Sequence, residues 1–280
     1  MKKKKKKKKT GGAGPEALAS RLTTELGWDD LVLPPEVVEE VKHLVAWIRH
    51  RDALVDTWGL RRAARPGYTS LFAGDSGTGK TMAAALIGAE VGAPVYRIDL
   101  AAVGSRYIGE TEKNLADIFR RAEETDWILY FDEADALFGK RTGVKDAHDR
   151  YANIEVPYLL QRMEAFTGLT ILATNRPDHL DEALVRRLQS VIVFPPPDAD
   201  LRFRIWKGVL GDRRRLTADV DLSELARAHE LTGGGIVNAV RAAALRALAR
   251  GDEAMSGADL AEGIRRERAR PMPRKGEAAR

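Results

Sequence analysis

Tyr68-Thr69-Ser70-Leu71-Phe72-Ala73-Gly74-Asp75-Ser76-Gly77-Thr78-Gly79-Lys80-Thr81 is the stretch that decides the fold. Tyr68–Ala73 is mostly apolar and reads as a buried strand. Gly74–Thr81 satisfies the pattern GxxxxGK[ST]. Lys80–Val91, rich in Ala with Leu and Ile, reads as a helix. A strand that turns through glycines into a helix start makes a cradle for phosphate. The glycines let the backbone wrap an anion without Cβ clashes, and the amides of the turn sit at the positive end of the helix. Asp75, Ser76, Gly77, Thr78 and Gly79 form the cradle, and Met82 follows it on the first helical turn. Lys80 is the residue that reaches the outer phosphates, and Thr81 offers a hydroxyl to Mg²⁺. A chance glycine turn has no need of both the strand and the helix.

Working outward, strands and helices alternate. Strands are expected over 95–99, 127–131, 169–173 and 191–194, and helices over 112–123, 153–164 and 181–188. Pro157 should disturb the first turn of the second of these helices. Before the phosphate loop, Pro34-Pro35 opens a helical pattern to about Asp56, with Val37, Val41, Leu44, Val45 and Ile48 on one stripe. Apolar strands alternating with helices imply an α/β fold whose parallel sheet is covered on both faces. After Pro195-Pro196-Pro197 the texture changes to helices alone, over 199–209, 221–229, 235–249 and 256–268. The expected organisation is a tail over 1–15, an α/β domain over 16–197, a smaller α-helical domain over 198–270 and a basic tail over 271–280.

Two further clusters carry chemistry. Ile128-Leu129-Tyr130-Phe131 is an apolar strand that ends in Asp132-Glu133, about 50 residues after Lys80. A carboxylate at the strand end suits Mg²⁺, so Asp132 is a candidate metal ligand beside Thr81. Glu133 is then free to polarise a water that attacks the terminal phosphate. Asp135 reads as a capping or packing residue. Asn175, in Ala173-Thr174-Asn175-Arg176-Pro177, follows the strand over 169–173. A strand neighbouring the Asp132 strand would let it orient that water and sense the phosphate.

Charge misleads in this chain. The formal net charge is +5, but Lys2–Lys9 carry +8 and residues 265–280 a further +5, which leaves −8 on residues 10–264. The lysine run should be solvated and disordered. An acidic body with basic ends argues against nucleic acid as a partner. There are no cysteines, so disulfides and thiolate metal sites are excluded, in keeping with a reducing, cytoplasmic setting. No apolar run approaches the roughly 20 residues needed to cross a bilayer, so no membrane is expected.

The order of these pieces resembles the AAA+ ATPases over about residues 25–268, with wording close to an AAA-like bacterial branch at Tyr158–Glu164 and Val193–Asp198. Some members of that branch occur beside contractile injection particles. The resemblance implies a P-loop αβα sandwich with a five-stranded parallel sheet and a C-terminal helical lid. It implies ATP and Mg²⁺ as cofactors and a homo-oligomer, commonly a hexameric ring. Tyr107-Ile108-Gly109 looks like the family's central-pore loop, which would make a protein the substrate, and Gly139–Tyr151 stands where a second pore-facing loop would be. Leu180–Arg187 is similar to the stretch that holds arginine fingers. Arg186 and Arg187 are adjacent here, without the Pro-Gly usually set between two arginines, and either or both would serve. Asp30 and Val32 match the segment that lies along the adenine, while Gly234 and Gly235 begin a lid helix near the nucleotide. A nucleic-acid motor and an assembly switch with little turnover remain the competing functions.

Overall fold

The computed structural model describes residues 19–60, 67–98, 110–135, 148–211 and 215–269. A six-stranded sheet runs in the order β1-β3-β4-β5-β2-β6, with β1 Ala19–Leu22, β2 Tyr68–Ala73, β3 Val95–Ile98, β4 Ile128–Phe131, β5 Leu169–Thr174 and β6 Ser190–Val193. The pairs β3–β4 and β4–β5 are parallel, in register at Ile98↔Phe131 and Phe131↔Leu172. Tyr68 N–H donates to the Gly168 carbonyl at 3.1 Å, where β2 and β5 both begin, so these strands start together. Strand β6 follows β2 through Gln189 N–H to Thr69 O at one end and Phe194 N–H to Ala73 O at the other.

Five strands are therefore parallel, as the alternating pattern implies. The sixth departs from the expectation. β1 is antiparallel to β3, with Ala19 opposite Ile98 and Leu22 opposite Val95, and it forms one edge of the sheet.

The helices in chain order are α1 Pro35–Asp56, α2 Lys80–Val91, α3 Glu110–Glu124, α4 His148–Ala165, α5 Glu182–Val185, α6 Ala199–Leu210, α7 Leu222–Ala228, α8 Gly233–Arg250 and α9 Gly257–Arg268. Every residue of β4 and β5 is buried, which is the signature of strands covered on both faces. Ile118 and Phe119 of α3 are fully buried, and Phe119 meets Phe131 at 6.2 Å and Phe166 edge-on at 5.6 Å between ring centroids. Helix α4 begins before the expected Asn153, so Pro157 stands inside it rather than in its first turn. A proline there removes one N–H, yet Leu159 and Met163 beyond it are buried, and packing holds the helix through the gap. Helix α5 is shorter than the expected 181–188 and ends before both arginines. No described helix is long and apolar enough to cross a membrane.

The chain divides into two compact units that are not consecutive in sequence. One takes residues up to Thr24, Lys42–Phe72 and Ala84–Ile192 and holds the sheet. The other takes Glu25–Val41, Ala73–Ala83 and Val193 onward. The second unit contains the phosphate loop together with α6–α9, which pack around fully buried Trp206, Ile236, Ala239, Ala243 and Leu260. Each of these helices opens on a side-chain cap: Asp198, Asp221, Thr232 and Ser256 accept from amides of the first turn.

Asp259 joins α8 to α9. Its carboxylate is 1% exposed and accepts from Arg250 at 2.7 Å through both oxygens, from Arg246 at 3.2 Å and from Ser256 Oγ at 2.8 Å. The Arg250 hydrogen bonds hold this carboxyl well below the usual carboxylate range, against the opposing effect of burial. Asp259→Ala strips the acceptor from two guanidiniums, but these are more than two-fifths exposed and rehydrate. The expected cost is therefore on the order of 2 kcal/mol rather than the larger loss seen when a fully buried charge is stranded. Thermal or urea melts followed by circular dichroism measure it. The folded pKa is depressed, so the contribution is present above the unfolded value and is lost only as pH falls through the folded one. The difference between wild type and variant should therefore stay constant from pH 7 to about pH 5.

Candidate nucleotide site

In the second unit the chain leaves β2 through Gly74 and enters α2 at Lys80. The turn closes on itself: Thr78 Oγ1 donates to the Asp75 carbonyl at 2.9 Å, and Ala83 N–H donates to Gly79 O at 2.8 Å as the helix begins. Lys80 is buried to 7% exposure, and its Nζ donates to the carbonyls of Gly74 at 2.6 Å and Asp75 at 2.8 Å. The ammonium is thus folded against the mouth of the loop that it serves. Asp75, Ser76, Gly77 and Thr81 are exposed, whereas Gly79 and Met82 are half-buried.

Gly77 has φ +81° and Gly79 φ +108°, both in the region that favours glycine. At Gly77 there is a second reason. A Cβ there would stand 2.8 Å from Thr232 Oγ1 and 3.1 Å from the Gly234 Cα. Gly234 N–H also donates to the Gly77 carbonyl at 3.0 Å. The structure therefore brings the start of α8 onto the phosphate loop, with Gly234 in direct contact and Gly235 buried one residue further on. Asp30 is exposed, and its Oδ2 accepts from Gly27 N–H at 2.8 Å, while Val32 is half-buried. The residue between them faces the loop: Leu31 is buried, and its Cδ1 lies 3.0 Å from where a Cβ on Gly79 would be.

In the first unit Asp132 and Glu133 follow β4, and Asn175 follows β5, the hydrogen-bonded neighbour of β4. Glu133 is exposed and adopts φ +52°, rare for a residue with a side chain. Its N–H donates to Asp132 Oδ1 at 3.0 Å, while Asp132 Oδ2 pairs with Arg97 Nη2 of β3 at 3.0 Å. Asn175 is exposed. Asp135, read from sequence as a capping or packing residue, accepts from Thr174 Oγ1 at 2.7 Å.

Arg186 and Arg187 lie just past α5 and differ in setting. Arg186 is 82% exposed and pairs with Glu182 at 3.7 Å, whereas Arg187 is 46% exposed and pairs with Glu164 of α4 at 3.6 Å. Tyr107, Ile108 and Gly109 lie outside the described residues, as do both basic tails and residues 139–147 of the second loop.

The residues present suit Mg²⁺. Thr81 in the second unit carries a hydroxyl and Asp132 in the first a carboxylate, each a hard oxygen donor of the kind that this ion takes. The chemistry such an ion would supply is neutralisation of charge on a transferring phosphate. Arg97 was not singled out from sequence. Its only signal there is a charged residue at a register position beside β4, which pairing alone reveals. Thr232 is likewise legible only as a helix cap.

Fold and site together define a P-loop nucleoside triphosphatase. The model of the ATPase family associated with various cellular activities (AAA) matches residues 70–196. The ATPase family gene 2 protein of Schizosaccharomyces pombe is 40% identical over 186 residues, 64% of this chain and 23% of its own length. The Cell division cycle protein 48 homolog of Archaeoglobus fulgidus is 32% identical over 223 residues, 76% of this chain and 29% of that protein. The Proteasome-activating nucleotidase of Methanococcus vannielii is 33% identical over 202 residues, 69% of this chain and 49% of that protein. This chain belongs to the AAA+ ATPases, and it spans less than half the length of these relatives.

Proposed function

We propose that this chain is a Mg²⁺-dependent ATPase that works in a homo-oligomeric ring, hexameric by analogy with its family, and uses hydrolysis to remodel or unfold a protein. One observation carries the enzymatic part. Strands β4 and β5 are paired in parallel, so Asp132, Glu133 and Asn175 emerge together from the same edge of the sheet. In an open α/β sheet the carboxyl edge is where ligands bind. Asp132 with Thr81 holds the metal, Glu133 takes the proton of the attacking water, and Asn175 orients that water. Asp75 to Met82 hold the phosphates, and Asp30, Val32, Gly234 and Gly235 border the base. Residues 16–197 act as the ATPase core and 198–270 as the lid that responds to nucleotide. The cytoplasm is the proposed setting.

A protein substrate is supported by the name of one relative, the Proteasome-activating nucleotidase. Tyr107-Ile108-Gly109 would grip the chain. Native mass measurement tests the assembly: a ring is expected with ATP and Mg²⁺, and a monomer under all nucleotide conditions would overturn it. In the same preparation an unfolded protein should stimulate ATP turnover several-fold, and Tyr107→Ala should lose that stimulation while keeping basal turnover.

A further inference from the structure

The two residues assigned to the attacking water, Glu133 and Asn175, are both exposed, whereas their chain neighbours are tied together underneath. The β4–β5 ladder reaches Phe131↔Leu172. Beyond it the two chain ends stay joined by two bonds outside the ladder. Ala134 N–H donates to the Ala173 carbonyl at 2.9 Å, and Thr174 Oγ1 donates to Asp135 Oδ1 at 2.7 Å. Thr174 is 1% exposed, so its hydroxyl has little water to turn to. The same oxygen accepts from Arg176 N–H at 2.9 Å. One hydroxyl therefore holds the residue on either side of Asn175 and reaches across to the turn that carries Glu133.

Glu133 needs such support. At φ +52° a side-chain-bearing residue is strained, and the strain persists only where the surroundings fix the backbone. On one side Asp132 Oδ1 accepts the Glu133 N–H, and on the other Ala134 is bonded to β5. Asp135 closes the turn onto Thr174.

We infer that Thr174 and Asp135 are positioning residues for hydrolysis: their bond sets Glu133 and Asn175 at a fixed separation, so that one water meets both. The inference rests on the ATPase reading of Glu133 and Asn175. It separates binding from chemistry, because none of these bonds involves the phosphate loop. A hydroxyl is required at 174 and an acceptor at 135, and neither side chain touches the nucleotide in this scheme.

The test is a set of variants in the full chain, with kcat from phosphate release and Kd from a fluorescent ADP. Thr174→Val keeps the volume and removes the hydroxyl. Its kcat should fall about 10- to 100-fold, the scale of a misplaced catalytic group, with Kd unchanged within about twofold. Thr174→Ser restores the hydroxyl and should recover kcat to within a few-fold of wild type. Asp135→Ala leaves Thr174 free to bond Arg176 N–H and serves if the valine variant does not fold. Its kcat should drop by a similar factor, and the double variant should be no slower than the slower single one, because Thr174→Val already removes the bond that Asp135→Ala removes. A Thr174→Val kcat within threefold of wild type, a Kd that weakens in step with kcat, or multiplicative losses in the double variant would each overturn the inference. Glu133→Gln is measured alongside. If it hydrolyses ATP at the wild-type rate, the ATPase reading of that residue has failed. If it is inactive while Thr174→Val is normal, only the coupling has failed.

Discussion

Glu133→Gln should leave the protein folded and loaded with ATP while slowing hydrolysis about 10²- to 10⁴-fold, the range that a positioned general base supplies. The substitution is isosteric. The bond from the residue-133 N–H to Asp132 Oδ1 is a backbone bond and survives it, and glutamine at φ +52° carries the same strain as glutamate. What is lost is the carboxylate's ability to take a proton. The bonds of Thr78 to Asp75, Lys80 to Gly74 and Gly234 to Gly77 do not involve residue 133. The measurement is phosphate release at saturating ATP, with the retained nucleotide identified after rapid desalting. Wild-type turnover in the variant would remove Glu133 from the mechanism. Loss of ATP binding in step with turnover would show that the residue holds the substrate rather than activating water. A nearly inert but ATP-loaded chain should also populate the assembled form more fully than wild type, because bound ligand favours whatever state binds it.

The parts of this design that are local in sequence were legible, and the parts set by pairing were not. The phosphate loop is one continuous stretch in which strand, glycines and lysine each have a chemical requirement, so Gly74–Thr81 could be read directly. The placement of Asp132-Glu133 and Asn175 just past strands was legible too, because each follows an apolar run. β1 was missed because Ala19–Leu22 has one buried residue and no alternation that stands out. It is a strand because β3 offers an open edge, a fact stored some 75 residues away. The length of α5 was overestimated because Arg186 and Arg187 are good helix formers. Their amides bond back to Glu182 and Leu184, but the regular helix has already ended. The Arg97–Asp132 pair and the Thr174–Asp135 bond each join a strand residue to the turn that follows its neighbouring strand β4. No spacing rule in a single chain predicts them, although both follow at once from the order β3-β4-β5. The left-handed Glu133 is a similar case, since nothing in its local sequence asks for that conformation.

Arg186→Ala should lower kcat by about 10³-fold if the guanidinium completes a site on a neighbouring copy, the scale at which arginine fingers act. The geometry favours Arg186 over Arg187. Its side chain is 82% exposed past a four-residue helix, and it pairs at 3.7 Å with an exposed glutamate on that same helix. Arg187 instead pairs with Glu164 from α4, so Arg187→Ala should disturb packing within its own unit and cost turnover less. Single variants do not separate action in cis from action in trans, whereas mixing does. A chain with Arg186→Ala keeps its own Glu133, and a chain with Glu133→Gln keeps its own Arg186. Where the first receives an arginine from the second, a complete site is rebuilt from two defective chains. Mixed in equal amounts and allowed to exchange, the pair should recover a measurable fraction of wild-type turnover, far above either alone. Were the arginine to act within its own chain, every chain in the mixture would carry one fatal change and no recovery would appear. Recovery should also vanish when ATP is omitted during exchange if assembly depends on nucleotide.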